Sequence, residues 1–403
     1  MSGAMDPVAA QYEAYPYPAR NPADEAKRLI EGSPSHPAEV DHFLFGGRRD
    51  WSRPFRALFA GGGTGDGLIM LAQKLADRGA PAEITYLDMS AASRRVAEAR
   101  AAARGLGSIR FLTGDLLSAP DHGPFDYIDC TGVLHHLPDP DAGFAALAAA
   151  LAPDGGLGAM VYAPYGRTGV YPLQGALAAL TAGEAPEKQV EIAKATLKGL
   201  PKTNWFTQNR ILGDHRESDA GLYDLLLHAR DRPYDVEALI GALGRAGLAL
   251  TSFTEPLRYE PALYLPAALH PRLEGLAPTA RAAMAERLAG NMKAHVFYAA
   301  RGARKPAGLS PEARPRLGAL SPAALAAQIA RRGGLRVERD GLTHTLAIPR
   351  QAAELIALAD GRLRLGEIAR VRRIDWFAFA ALWKPAHDAL TGFNLLRYSE
   401  GMR

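Results

Sequence analysis

Short apolar segments that alternate with helical segments begin at Arg56, and this alternation constrains the fold more than any other feature of the chain. The segments RALFA, ITYLD, IRFLTGD, FDYIDCTGV and LGAMVYA are typical of buried strands, and KAHVFYAA, which ends at Ala300, adds a last one. Strands that alternate with helices pair in parallel through right-handed crossovers. We therefore expect an α/β fold with a Rossmann-like, doubly wound sheet.

A glycine turn follows the first of these strands. From Gly61 to Gly65 every residue except Thr64 is glycine, so a ligand can approach the backbone and the N-terminus of the next helix closely. A dinucleotide-binding turn has the pattern G-x-G-x-x-G. Its third glycine is replaced here, by Asp66 in one register and by Leu68 in the other. A nicotinamide-dependent oxidoreductase is therefore the least favoured interpretation.

The second and third strands each end in an acidic residue. Asp88 closes ITYLD and precedes Met89, whereas Asp115 lies between Gly114 and Leu116. The first position suits a carboxylate that accepts both ribose hydroxyls, and the second suits one that accepts an adenine amino group. Both acids could instead be helix N-caps, but their spacing from the glycine turn favours an adenosyl ligand.

This order of motifs resembles that of the class I S-adenosylmethionine-dependent methyltransferases, over about residues 50–300. The resemblance implies a seven-stranded sheet, S-adenosyl-L-methionine as cofactor, S-adenosyl-L-homocysteine as product and no metal. One departure is Phe59, because many members carry an acid two residues before the first glycine. Contact with the methionine amino group must then come from backbone carbonyls or elsewhere. The residues expected to bind the cofactor are Tyr12, Gly61, Gly62, Gly63, Gly65, Asp88, Met89, Gly114, Asp115, Leu116 and Thr131.

Three further strings are similar to a bacterial subgroup that includes protein-lysine methyltransferases acting on outer-membrane proteins. They are QYEAYPYP (11–18), TGVLHHLPDP (131–140) and VYAPYGRTGVY (161–171). The resemblance favours a protein side chain, lysine above all, as the methyl acceptor by direct displacement. The alternative is a small-molecule O-, N- or S-methyltransferase, with the helical insertion 164–232 closing over a metabolite.

Candidate catalytic residues lie at two places in the sequence. Tyr15 and Tyr17 precede the first strand, where a segment can fold over the carboxyl edge of the sheet as a lid. His135 follows the fourth strand and could accept a proton from the acceptor, or could simply pack at a helix start. His135 and His136 are not expected to bind a metal together, because adjacent residues of a helix do not share a face.

Candidate substrate-binding residues follow the fourth and fifth strands and the insertion. Arg167 could hold a carboxylate of the substrate, and Asp231 with Arg232 is expected to form a local charge network. The full set is His136, Tyr165, Arg167, Tyr171, His228, Arg232 and Tyr234.

Length and composition limit the number of domains and the kinds of site that the chain can form. A chain of 403 residues is long for one domain, and we expect a lid segment (1–50), a methyltransferase domain (51–303) and a small α+β, winged-helix-like or regulatory domain (317–403). One cysteine excludes a disulfide framework and a cysteine-based metal site, which favours a cytoplasmic location. Neither a signal peptide nor a membrane span is expected.

Basic residues are concentrated in the last quarter of the chain. Residues 301–403 contain 18 Lys and Arg against 9 Asp and Glu, a balance that could favour an acidic polypeptide or a nucleic acid. No run of basic residues interleaved with aromatic residues accompanies this charge, so nucleic acid is not expected and a solvated surface is preferred. A non-catalytic cofactor sensor that contacts nucleic acid, and a homodimer, stay open.

Overall fold

The chain forms one central sheet with helices on both faces. The computed structural model describes residues 6–318 and 320–401, so the ends of the predicted lid and C-terminal domain lie outside the described residues. The sheet has seven strands in the order β3-β2-β1-β4-β5-β7-β6. Its strands are β1 (Phe55–Ala60), β2 (Ala82–Asp88), β3 (Ile109–Thr113), β4 (Phe125–Thr131), β5 (Leu151–Tyr162), β6 (Ala249–Phe253) and β7 (Ala294–Ala300).

Strands β1 to β5 are parallel, and β7 runs antiparallel between β5 and β6. The predicted Rossmann-like class is confirmed. The strand order reverses between β1 and β4, so their carboxyl ends open a crevice there. Strand β5 begins at Leu151, earlier than predicted, because Pro153 disfavours helical backbone before it.

The helices flank the sheet, form the insertion and build the C-terminal region. They are α1 (Pro7–Ala14), α2 (Pro37–Leu44), α3 (Asp66–Ala76), α4 (Ala91–Ala103), α5 (Pro140–Ala150), α6 (Val170–Leu180), α7 (Pro186–Gly199), α8 (Trp205–Gln208), α9 (Asp214–Glu217), α10 (Asp219–Leu226), α11 (Val236–Arg245), α12 (Pro278–Ala289), α13 (Pro322–Arg332), α14 (Ala353–Ile356), α15 (Leu365–Val371) and α16 (Trp376–Gly392). Short 3₁₀ helices cover Pro22–Ala26, Leu116–His122, Leu134–His136, Pro256–Tyr259, Pro261–Leu263, Ala267–Leu273 and Arg350–Ala352.

Apolar side chains form separate cores outside the sheet. The insertion buries Leu177, Phe206 and Leu226 among its own helices. The C-terminal region packs its helices around Trp383 and Leu390, beside two strand pairs. These pairs are β8 (Arg314–Leu317) with β11 (Leu396–Ser399) and β9 (Gly334–Arg339) with β10 (Leu342–Ala347). Within the described residues, no helix is both long and apolar enough to cross a bilayer.

The predicted lid segment, residues 1–50, includes the buried helix α2. All residues of α2 are buried, because the C-terminal region supplies partners for its polar side chains. Arg397 donates to Glu39 at 2.5 Å, and the Ser399 hydroxyl donates to Asp41 at 2.5 Å. The prediction of a lid over 1–50 was therefore wrong for α2, which is part of the core.

Loss of the Arg397–Glu39 pair is expected to destabilise the fold. Arg397→Ala leaves the Glu39 carboxylate, 1% exposed, without its cation. Breaking a buried pair from one side costs about 3 kcal/mol. Lys384→Ala is the matched control, since its pair with Asp388 is exposed and contributes under about 0.5 kcal/mol. Urea unfolding of both variants measures the difference, and equal stabilities would contradict this prediction.

Candidate active site

A cavity of about 540 Å³ opens at the carboxyl edge of β1, β2 and β4. The glycine turn and the ends of β2 and β3 form one end of it. The N-terminal segment and the insertion form the other end, where Tyr12 and Asp224 face each other. The cavity therefore lies at the switch point of the strand order, where open α/β sheets bind ligands.

The glycine turn requires its glycines. Gly61, Gly63 and Gly65 have φ angles of 72°, 52° and 94°, a region that other residues rarely adopt. A Cβ on Gly61 would lie 2.4 Å from a methyl group of Val133, and one on Gly63 would lie 3.0 Å from the carbonyl oxygen of Tyr17. The backbone is therefore exposed to the cavity without side chains.

The two strand-end acids face the cavity and also cap local backbone. The Asp88 carboxylate accepts the N–H groups of Gly63 and Ser90, each at 2.8 Å, and burial raises its pKa. Asp115 accepts the Leu117 N–H at 2.9 Å as an N-cap. Each carboxylate retains lone pairs for a ligand. Asp88 and Asp115 can therefore cap local backbone and bind a ligand at the same time, so the two interpretations are compatible.

The cavity brings together all of the predicted cofactor-binding residues. These residues are Tyr12, Gly61, Gly62, Gly63, Gly65, Asp88, Met89, Gly114, Asp115, Leu116 and Thr131. The exposed backbone of the glycine turn and the acids that follow β2 and β3 fit a ligand with an adenosyl group and an amino-acid group. Their binding roles stay predictions.

Aromatic hydroxyls surround one buried acid at the other end of the cavity. Tyr12 and Tyr162 donate to the two carboxylate oxygens of Asp224, at 3.1 and 2.9 Å. Burial raises the pKa of Asp224, and burial together with the Asp224 charge raises the pKa of both tyrosines. Tyr17 lines the same space. This end can therefore hold a polar or cationic group away from water.

His136, not His135, faces the cavity. Its Nδ1 lies 2.6 Å from the carbonyl oxygen of Arg230, so Nδ1 carries the hydrogen and the buried Nε2 keeps a free lone pair. Burial lowers the pKa of both histidines. His135 packs beside Tyr162, with ring centres 4.2 Å apart, outside the cavity. The structure thus places His136, predicted to bind substrate, at the cavity and His135, predicted to be catalytic, outside it, and both roles stay predictions.

His136, Asp224 and His228 bring three possible metal-ligand atoms within 4.8 Å of one another. The two imidazole rings are stacked, with centres 3.6 Å apart and planes 14° from parallel. His136 already uses its Nδ1 to donate to the carbonyl oxygen of Arg230. His228 Nδ1 also accepts the Arg230 N–H at 3.1 Å, which leaves its hydrogen on Nε2. The arrangement suits proton transfer better than metal binding, and the absence of a metal stays a prediction.

Arg167 binds a carboxylate of its own chain. It pairs with Asp231 at 2.7 Å, its guanidinium lies 3.7 Å from the centre of the Tyr162 ring, and Tyr171 accepts from its Nε at 3.0 Å. Arg167 is 2% exposed. It supports the wall behind Tyr162, and it does not reach the cavity to hold a substrate.

Other predicted residues also lie outside the cavity. Tyr15 stacks on Tyr223, with ring centres 5.2 Å apart, and Tyr165 bonds to Arg287. Tyr234 is buried in the core beside Phe144. The remaining such residues are Tyr171, His228 and Arg232, and the predicted pairing of Asp231 with Arg232 is replaced by the pair with Arg167.

A protein-family comparison agrees with this geometry. Residues 58–157 match the family model described as a methyltransferase domain, and the sheet has the seven strands that the resemblance implied. The chain has the fold of the class I methyltransferases, and residues 58–157 resemble a methyltransferase domain. This confirms the resemblance drawn from the sequence motifs.

The chain is similar in fold to solved structures over most of its length. PKMT2 from Rickettsia typhi in complex with AdoHcy matches with a TM-score of 0.64 and 13% identity, covering 91% of this chain and 76% of that chain. A second PKMT2 structure matches with a TM-score of 0.62. The uncharacterized protein syc1184_c of Synechococcus is 33% identical over 267 residues, 63% of this chain. The chain spans 61% of the length of that relative.

Sequence reasoning missed several residues that line the cavity of the methyltransferase domain. Asp129 precedes Thr131 by two positions, and an acid within an apolar strand was the available signal. Asp224 lies in the insertion, where no periodic pattern relates it to the sheet. Asp6 and Arg230, paired at 2.5 Å, join the N-terminal segment to the insertion above the cavity.

Proposed function

We propose that this chain is an S-adenosylmethionine-dependent methyltransferase whose acceptor is an amine, with a protein lysine side chain favoured. The observation that carries the proposal is one continuous cavity with two chemically different ends. One end offers bare backbone and two acids, and the other offers Asp224 among tyrosines and the free lone pair of His136. The first end suits an adenosyl group, and the second suits an amine.

S-adenosylmethionine, when bound, supplies an electrophilic methyl group. The glycine turn and Asp88 would hold its adenosine, with Asp115 beside the base. Tyr12, Tyr17 and Tyr162 exclude water around the acceptor, which favours a neutral nucleophile held in position.

An ammonium group cannot attack until it loses a proton. The negative charge of Asp224 attracts the cation, and the hydroxyls of Tyr12 and Tyr162 keep that carboxylate fixed. His136 Nε2 then accepts the proton, since burial keeps the imidazole neutral near pH 7 by lowering its pKa. Positioning and proton removal are thus the work of this chain's own side chains.

A metabolite acceptor is the alternative, and one contact favours it. The paired Asp6 and Arg230, together with the bond from Tyr12 to Asp224, join the N-terminal segment to the insertion across the cavity. A small molecule could be enclosed beneath this bridge, whereas a protein side chain needs it to open.

Transfer of methyl label separates the two acceptors. The chain would be incubated with methyl-labelled S-adenosylmethionine and a cell lysate, and the products would be divided by size. We expect label in macromolecules that resists nuclease, is released by protease and appears as methyllysine after hydrolysis. Label only among small molecules would overturn the lysine proposal and support the metabolite. Binding of the cofactor without any transfer would support a sensor.

A further inference from the structure

The acid that this chain lacks at Phe59 has a counterpart on the neighbouring strand. Phe59 on β1 is paired with Asp129 on β4 in the parallel register. Paired residues of parallel strands direct their side chains to the same face, about 4.8 Å apart. Both residues line the cavity next to the glycine turn. A carboxylate is therefore present at the same level of the sheet, displaced by one strand.

Asp129 is buried, and among residues 6–318 and 320–401 no cationic side chain pairs with it. It is 7% exposed, and burial raises its pKa to about 6. The hydroxyls of Ser35, Thr131 and Tyr127 approach it at 2.5, 3.3 and 3.4 Å, and all three converge on Oδ2. No cation is among the groups that set its pKa. A buried carboxylate in this state gains most from a cationic ligand.

Three other acids that line the cavity have stronger partners than Asp129 has. Asp66 pairs with Arg20 and Arg100, at 2.6 and 2.7 Å, and Asp6 pairs with Arg230. Asp88 accepts two backbone N–H groups. Asp129, beside the glycine turn, has three hydroxyl donors and the backbone N–H of Thr131, but no ion pair within the described part of the chain.

We propose that Asp129 binds the ammonium group at the amino-acid end of the cofactor, in place of the acid replaced by Phe59. The inference rests on the proposed function, because it assumes a ligand with an amino-acid end. Ser35 and Thr131 bond to Oδ2 and hold the carboxylate in place, so Oδ1 is the oxygen that would accept from the ammonium group. Asp129 acts in cofactor binding, so the affinity for the cofactor depends on the positive charge of its ammonium group.

Paired ligands test the proposal by calorimetry on the full chain. S-adenosylhomocysteine carries the ammonium group, whereas 5′-methylthioadenosine shares its adenosine and sulfur but lacks the amino-acid end. Asp129→Asn is expected to weaken S-adenosylhomocysteine binding by about 10- to 30-fold, as for a charged hydrogen bond. Binding of 5′-methylthioadenosine should change by less than about twofold. Equal losses for both ligands would overturn the role of Asp129.

Two further measurements guard against a merely structural effect. Ser35→Ala removes the shortest bond to Asp129 but keeps its charge, and it should retain most of the affinity for S-adenosylhomocysteine. If Ser35→Ala and Asp129→Asn lose equal affinity, the acid only supports the Ser35 segment, and the proposal is wrong. A desamino analogue of S-adenosylhomocysteine, tested on the wild-type chain, should lose the same 10- to 30-fold if Asp129→Asn does not fold. Failure of the wild-type chain to bind S-adenosylhomocysteine would overturn the proposed function itself.

Discussion

Replacing His136 by glutamine is expected to lower kcat for methyl transfer by about 10²- to 10³-fold, the usual contribution of a proton acceptor. The residue lines the cavity, its Nδ1 is held by the Arg230 carbonyl, and its Nε2 has no partner. Glutamine keeps a polar group there but accepts no proton. S-adenosylhomocysteine affinity should stay within about twofold, because the proton step is separate from cofactor binding.

His135→Gln is the matched control for this prediction. The two histidines are adjacent in sequence and both buried, but only His136 lines the cavity. We expect His135→Gln to retain most of kcat in the fraction that folds, as measured by circular dichroism. Burial lowers the pKa of His136 from its usual value of 6.5. The wild-type kcat should therefore fall only below pH 6.5, where His136 becomes protonated and cannot accept a proton. Equal losses of kcat in the two variants would contradict the assignment.

Asp88→Ala is expected to weaken S-adenosylhomocysteine binding by about 30- to 100-fold. The variant removes a charged acceptor for the ribose hydroxyls, worth about 2 to 3 kcal/mol. It also frees the Gly63 N–H, which Asp88 holds at 2.8 Å, so the glycine turn loses a support. Titration calorimetry measures the change in Kd.

Asp235→Ala separates ligand binding from helix capping. Asp235 caps α11 by accepting the Ala238 N–H at 2.7 Å, and it does not line the cavity. Removal of such a cap costs about 1 kcal/mol of stability. The affinity of Asp235→Ala for S-adenosylhomocysteine should match that of the wild-type chain. If Asp88→Ala binds S-adenosylhomocysteine as tightly as the wild-type chain does, Asp88 does not contact the ligand and this prediction is wrong.

Local spacing predicted the parts of the site that a single strand–turn–helix unit determines. The glycine turn, Asp88 and Asp115 each follow a strand directly, and parallel strands bring such positions to one edge. The parallel pairing of β1 to β5 followed from the same alternation. These features need no knowledge of contacts between distant segments.

Long-range pairing decided what the sequence could not predict. Arg167 meets Asp231, 64 positions away, and Tyr12 meets Asp224, 212 positions away. Helix α2 contains Glu39, Asp41 and His42 and has the composition of a surface helix. It is buried because residues of β11 satisfy these groups.

Contacts between distant segments also determine which of the two adjacent histidines faces the cavity. Both lie in a 3₁₀ helix, where neighbouring side chains point in different directions. The carbonyl of Arg230, 94 positions from His136, selects the ring that faces the cavity. No pattern around His135 carries that information.

Calorimetric titration of the purified wild-type chain with S-adenosylhomocysteine, in the presence and absence of NADH, tests the central claim most directly. Our account predicts one binding site per chain, with an affinity that NADH does not alter. It also predicts that Asp88→Ala loses most of this affinity. Absence of binding, or displacement of the ligand by NADH, would contradict the assignment of the cavity to an S-adenosyl ligand.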